Sequence, residues 1–262
     1  MSADSLTPLP DGLPTSSPQI KQVCDLLRHK SPLEIIRWAL AQVSDRAVVS
    51  TNFRPYEAAL LHLVTRVQPD IPVLWVDHGY NRPATYKHAE ALRTQLGLNL
   101  KPYLPQLSAA HRDAIYGPVP SLTDEVGLKT FSAQMKLEPF QRGMRELAPK
   151  LWITALRQNQ NPGRAELDIL TEDKNFGTLK LSPLFYWSDA QLDAYLAEHQ
   201  LPNEWDYYDP AKADEKRECG LHASWAVADR FIGGSADDVR RTALAAEPSS
   251  ASSPSTASNA AA

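Results

Sequence analysis

The run Ile71-Pro72-Val73-Leu74-Trp75-Val76 holds no charged side chain and ends abruptly at Asp77. A strand with one wet face alternates apolar and polar residues, so an unbroken apolar run of this length reads as a strand covered on both faces. Such a strand requires helices above and below it, and the flanking sequence supplies them. Ser31-Pro32-Leu33-Glu34 has the form of an N-cap, a first-turn proline and a capping-box glutamate, followed by apolar Ile35, Ile36, Trp38, Ala39, Leu40 and Val43. A short strand is expected at 47–50, a helix at about 55–67, a helix opened by Pro83 and closed by Gly97, and strands at 98–103 and 151–156. Ser188-Asp189-Ala190-Gln191 is a second capping box, starting a helix that runs to about His199. Strands alternating with crossover helices predict an α/β fold with a doubly wound, mostly parallel sheet.

With 262 residues, 43% of them hydrophobic, and six tryptophans, the chain can bury a full core. The expected division is a Pro- and Ser-rich disordered segment over 1–18, one α/β domain over 19–200, a C-terminal segment over 201–233 and a low-complexity tail over 234–262. A formal net charge of −4 provides no global basic field, so neither nucleic acid nor an anionic membrane is an expected partner. An anionic ligand would have to be held by local cations. No apolar run approaches the roughly 18 residues of a spanning helix, and the first residues lack a basic stretch followed by an apolar one, so a cytoplasmic location is expected.

The two cysteines, Cys24 and Cys219, rule out a disulfide framework and an all-cysteine metal or cluster site within one chain, and no metal site is expected. Cys24 sits in an apolar helical pattern and reads as a small buried hydrophobe. Cys219 lies in Lys216-Arg217-Glu218-Cys219-Gly220-Leu221-His222. Cations beside a thiol stabilise the thiolate, the form that attacks, while Glu215 and Glu218 oppose this. Spacing alone leaves both a nucleophile and an ordinary half-buried cysteine open.

Ligands of open α/β sheets bind beyond the carboxyl ends of the strands, which selects three loops. Ser50-Thr51-Asn52-Phe53-Arg54-Pro55-Tyr56-Glu57 offers hydroxyls, an amide and a helix N-terminus, the parts of a phosphate cradle or of a plain strand-to-helix turn. It has no glycine and matches neither a Walker loop nor a dinucleotide fingerprint. Asp77-His78-Gly79-Tyr80 suits a ribose or adenosine, or else a helix cap. Arg157, Gln160 and Arg164 fall in one loop after the 151–156 strand, where guanidinium forks match sulfate and phosphate.

Taken in order, these stretches resemble the adenylylsulfate and phosphoadenylylsulfate reductases of assimilatory sulfate reduction, from about Leu33 to His222. The pentapeptide Glu218-Cys219-Gly220-Leu221-His222 is the most specific match. Ser50 to Phe53, Asp77 with Gly79-Tyr80, Thr85-Tyr86, Lys136 with Glu138-Pro139, the Arg157 to Arg164 loop and Lys180 to Trp187 support it. The resemblance implies an adenine nucleotide α-hydrolase-like (PP-loop) fold, with 19–200 binding the sulfonucleotide and 201–233 carrying the catalytic Cys219. It implies Cys219 and His222 as catalytic residues. It implies substrate contacts from Ser50, Thr51, Asn52, Phe53, Asp77, Gly79, Tyr80, Lys136, Arg157, Gln160, Arg164, Lys216 and Arg217. The expected reaction is reduction of 3′-phosphoadenylylsulfate to sulfite and adenosine 3′,5′-bisphosphate through a Cys219 S-sulfonate. Reduced thioredoxin or glutaredoxin would be the electron donor, with no bound cofactor and a possible homodimer.

The adenylylsulfate-reducing branch holds a [4Fe–4S] cluster on four further cysteines, which this chain lacks, and that absence selects the 3′-phosphorylated substrate. Two features depart from the family pattern. Arg54-Pro55 stands where a Phe-Gly step is usual, and Asn203 to Pro210 passes almost directly to Glu218-Cys219 without the longer Gly-Tyr-x-Ser type segment. Absence of the cluster cysteines also leaves a cluster-free adenylylsulfate reductase as an alternative, and the two departures keep a non-reducing PP-loop nucleotide-binding protein as another. An ATP pyrophosphatase of the same fold is disfavoured because its Ser-Gly-Gly-x-Asp-Ser loop is missing.

Overall fold

In a computed structural model, residues 12–160, 162–164 and 166–210 are described. Six strands form one sheet in the order β3-β2-β1-β4-β6-β5. They are β1 (Ala47–Thr51), β2 (Pro72–Val76), β3 (Asn99–Tyr103), β4 (Leu151–Ile153), β5 (Leu170–Asp173) and β6 (Thr178–Leu181). All neighbours pair parallel except β5, which returns antiparallel along β6.

The apolar run around Val73 is the second strand, and the period of two explains its composition. Ala47, Val49, Val73, Trp75, Leu151 and Ile153 join one buried cluster, while Val48, Leu74, Val76 and Trp152 join another. Alternate residues of each strand thus enter two cores, one on each face of the sheet. The larger core is completed by α1 (Ser17–Leu27), α2 (Pro32–Ala41), α3 (Glu57–Thr65), α4 (Pro83–Leu96) and α8 (Asp189–Glu198). The smaller is closed by Phe140 and Met144 of α7 (Glu138–Leu147). Gly143 lets α7 approach closely, since a Cβ there would stand 2.9 Å from Leu74 and from the Tyr103 ring.

Both expected capping boxes form, at Ser31 with Glu34 and at Ser188 with Gln191. Several boundaries move. The first helix begins at Ser17, inside the stretch expected to be disordered. The helix expected from Pro55 begins at Glu57, because Tyr56 takes a left-handed φ of 73°. The strand expected to reach Leu156 ends at Ile153, beside the last residue of its partner, Leu181. Between β3 and β4 the chain forms α5 (Ala109–Tyr116) and α6 (Glu125–Ser132), then a π-helical turn over Ala133–Leu137 that leads into α7.

Candidate active site

Moving along the sheet, β1 connects to β2 and β3 on one side, whereas β4 lies on its other side. The carboxyl ends of β1 and β4 therefore border the topological switch point, where such sheets open a crevice. A cleft open to solvent lies there, lined by Ser50, Asn52 and Arg54 from the end of β1 and the loop after it, Trp152 and Thr154 from the β4 side, and Gln160 and Arg164 beyond it.

The first loop is held by its own acid. Oε2 of Glu57 accepts hydrogen bonds from the Thr51 hydroxyl (2.8 Å), the Asn52 N–H (2.7 Å) and the Arg54 N–H (3.2 Å). Thr51 Oγ1 in turn accepts from the Phe53 N–H at 2.9 Å. A carboxylate thus occupies the donors that the sequence offers to a phosphate. Phe53 and Tyr56 both take left-handed φ values, 54° and 73°, a conformation that L-residues adopt rarely and mostly at functional turns. The Phe53 ring, expected among the ligand contacts, is instead 0% exposed and packs edge-on against Trp75.

Ser50 and Asn52 do reach the cleft, and the Ser50 hydroxyl accepts a hydrogen bond from the Trp152 indole at 2.8 Å. Across the mouth, the Arg164 guanidinium donates to the Gln160 side chain and to the Arg157 carbonyl. Arg157 is turned differently. It donates to Asp189 at 2.5 Å and to the Trp187 carbonyl at 3.4 Å, and lies over the Tyr56 ring, so it ties the loop to the N-terminus of α8 and borders only a smaller crevice.

The residues after β2 gather separately. Asp77 Oδ1 accepts from the Gly79 N–H, the Asn81 amide and the Tyr86 hydroxyl, closing a turn in which Gly79 takes φ 76°. Tyr80 donates to Asp113 at 2.6 Å and packs on Phe131. Neither residue lines the cleft. His78 is 4% exposed, and burial, aided by the Lys136 ammonium, pushes its imidazole down to about 4. Lys136, in the π-helical turn, is 3% exposed and pairs with Asp209 at 2.5 Å. It was expected to meet an oxyanion, and in this structure it meets a carboxylate of the chain itself.

Cys219, His222, Lys216 and Arg217 lie outside the described residues. Cys24 is 1% exposed, its thiol donates to the Leu170 carbonyl, and burial pushes it up to about 11, which removes thiolate chemistry near neutral pH. Among the described residues no cluster of His, Cys, Asp and Glu is placed to hold a metal ion, and no helix is long and apolar enough to cross a membrane. Sequence reasoning assigned no role to Glu57, Trp152, Thr154 or Asp209. For Glu57 a signal was present, since an acid in the first turn of a helix faces the backbone N–H groups at that end.

A polar cleft carrying arginines at the switch point of a parallel sheet defines an α/β protein of the doubly wound class, with the cleft where such folds hold their ligands. The family model of the phosphoadenosine phosphosulfate reductase domain matches residues 46–205, and the chain belongs to that family. It is 30% identical to a phosphoadenosine 5′-phosphosulfate reductase of Synechococcus sp. over 80% of this chain and 100% of the relative. With a protein of the same description from Xanthomonas campestris pv. campestris it shares 34% identity, over 80% of this chain and 98% of the relative. The crystal structure of a Candida auris phosphoadenylyl-sulfate reductase in a phosphate complex superposes with a TM-score of 0.64 at 24% identity, covering 74% of this chain and 91% of that one. The fold is of the adenine nucleotide α-hydrolase-like, PP-loop type.

Proposed function

We propose that the chain reduces 3′-phosphoadenylylsulfate to sulfite and adenosine 3′,5′-bisphosphate in assimilatory sulfate reduction. The observation that carries this reading is the cleft between β1 and β4, which sets Ser50, Asn52, Gln160 and Arg164 at a strand-end crevice in a chain that retains Glu218-Cys219-Gly220-Leu221-His222. Arg164 supplies a planar donor fork suited to phosphate or sulfate oxygens. Ser50 and Asn52 add neutral hydrogen-bonding groups opposite it.

In the chemistry that this reading entails, the Cys219 thiolate attacks the sulfonate sulfur. An S–S bond forms, the sulfur–oxygen bond to the 5′-phosphate breaks, and adenosine 3′,5′-bisphosphate leaves with that electron pair. A thiolate of a dithiol protein, thioredoxin or glutaredoxin, then attacks Cys219 Sγ. Sulfite departs with the bonding pair, and the second thiol of the donor resolves the mixed disulfide. The two electrons come from the donor, in keeping with Cys24 being buried and held as a thiol. Lys216, Arg217 and His222 would favour the thiolate. No bound cluster enters this scheme, and a cytoplasmic, homodimeric enzyme belongs to the same proposal.

The test is sulfite release by the purified chain with reduced thioredoxin, comparing the phosphorylated and unphosphorylated sulfonucleotides, with Cys219→Ser as control. Turnover of the phosphorylated nucleotide that vanishes in Cys219→Ser is expected. Preference for adenylylsulfate would change the substrate, and tight binding without turnover would make the chain a nucleotide-binding protein.

A further inference from the structure

Residues 203–209, the stretch that departs from the family pattern, form a strap across the carboxyl edge of the sheet. Asn203 Oδ1 accepts from the Tyr56 N–H at 2.8 Å, and Trp205 packs edge-on against the Tyr56 ring. Asp206 pairs with Arg82. Arg54 lies over the Tyr207 ring at 5.8 Å and Arg82 over the Tyr208 ring at 5.3 Å. The last anchor is Asp209 on Lys136. Three cations around this edge, Arg54, Arg82 and Lys136, are thus engaged by one short segment of the same chain.

These anchors differ in strength. Arg82 and Asp206 are about half exposed, so solvent screens their attraction. The side chains of Lys136 and Asp209 are each 4% exposed, where water screens little and a lone charge is unfavourable. His78 lies beside this pair, and Asp209 is a carboxylate bonded directly to the Lys136 ammonium. The π-helical turn that carries Lys136 leads straight into α7, whose Phe140 ring borders the cleft. Widened turns of this kind are frequent at functional sites.

We infer that Asp209 is an internal stand-in for a ligand oxyanion on Lys136, and that the sulfonucleotide takes Lys136 over from it and frees the strap. This rests on the sulfonucleotide reading above. The exchange replaces one anion by another, so Lys136 is never left uncompensated, and Asp209 passes to water. Cys219 follows Asp209 by ten residues in the sequence, a span of at most about 35 Å. Asp209 acts through Lys136 and is a positioning residue. Its hold on Lys136 also taxes affinity, because a ligand that must first open the strap binds more weakly by the fraction of molecules already open.

The experiment is calorimetric titration of the full chain with adenosine 3′,5′-bisphosphate, for the wild type, Asp209→Asn, Asp209→Glu, Lys136→Gln and the Asp209→Asn/Lys136→Gln pair. Asp209→Asn is expected to bind about tenfold more tightly, as follows when the open fraction rises from about a tenth to nearly all. Asp209→Glu, which keeps the charge, should stay near wild type, and Lys136→Gln should bind more weakly. The double variant should match Lys136→Gln, since Asp209 acts through Lys136. Trp205, 65% exposed on the strap, adds a second readout: its emission should change on ligand addition in the wild type and be missing from Trp205→Phe. A pair that merely holds the fold together predicts weaker binding for Asp209→Asn, and that result or an unchanged affinity overturns the inference. Absence of binding in every variant would overturn the sulfonucleotide reading together with it, whereas sulfite turnover with an affinity indifferent to Asp209 would sink the stand-in alone.

Discussion

His78 shows how a single buried group makes stability depend on pH. Its imidazole is 4% exposed, its Nδ1 accepts from the Tyr80 N–H at 3.1 Å, and Lys136, Asp209 and Asp77 surround it. Burial, with Lys136 adding to it, lowers the folded value from 6.5 to about 4. The sign follows from proton uptake. Between about 6.5 and 4 the unfolded chain binds a proton that the folded chain refuses, so stability falls as pH drops through that window at up to about 1.4 kcal/mol per unit. Above 6.5 the imidazole is neutral in both states and contributes no slope. His78→Asn keeps an acceptor for the Tyr80 N–H and removes the titration. Urea unfolding at pH 7 and pH 5 should therefore show the wild type losing about 2 kcal/mol more than His78→Asn. Equal losses in the two proteins would show that His78 does not set the slope.

At the scale of elements, the β5–β6 hairpin is the part that sequence reading missed, and polarity is the reason. Asp173 and Lys180 sit in strands of mixed character, Leu-Thr-Glu-Asp and Thr-Leu-Lys-Leu, that look like exposed loop. Pairing across the hairpin is what buries them, at 2.9 Å with side chains 3% and 9% exposed, and Lys180 also lies over the Trp152 ring at 4.4 Å. A contact that exists only after two segments meet leaves no trace in either one. Strands whose burial came from apolar runs, β1, β2 and β4, were legible, and so were α2 and α8 through their caps. The π-helical turn was invisible, because nothing local distinguishes Ala133–Leu137 from ordinary helix. The hairpin pair also predicts an asymmetry. Asp173 Oδ1 accepts from the N–H groups of Asn175 and Phe176 at 3.1 Å, so it keeps partners when Lys180 is removed. Lys180 without Asp173 is a buried cation that has lost its counter-charge. Asp173→Ala should cost about 3–5 kcal/mol in urea unfolding and Lys180→Met clearly less, and a reversed order would refute this account.

For the whole molecule, the order of the strands decides which of several similar loops becomes the cleft. Every parallel strand ends at the same edge, and the strand-end rule selected that edge, where Ser50, Asn52, Gln160 and Arg164 line the cleft. It could not separate these from Asp77, Gly79 and Tyr80, because the position of β4 beside β1 depends on a chain reversal some 100 residues long. Nor could it tell that Phe53 turns inward, which the left-handed backbone of that residue dictates. The same architecture divides labour between two arginines that look alike in sequence. Arg164 faces the cleft, while Arg157 spends its guanidinium on Asp189, the Trp187 carbonyl and the Tyr56 ring. Arg164→Lys keeps the charge but loses the planar fork that matches a phosphate or sulfate, so affinity for adenosine 3′,5′-bisphosphate should fall by about tenfold or more with little change in Tm. Arg157→Ala unties the loop from α8, so Tm should drop by several degrees while affinity changes less than it does in Arg164→Lys. Calorimetric titration and thermal unfolding of both variants separate the two roles. If Arg157→Ala loses more affinity than Arg164→Lys, the ligand lies in the smaller crevice beside Tyr56, and the assignment of the cleft between β1 and β4 fails with it.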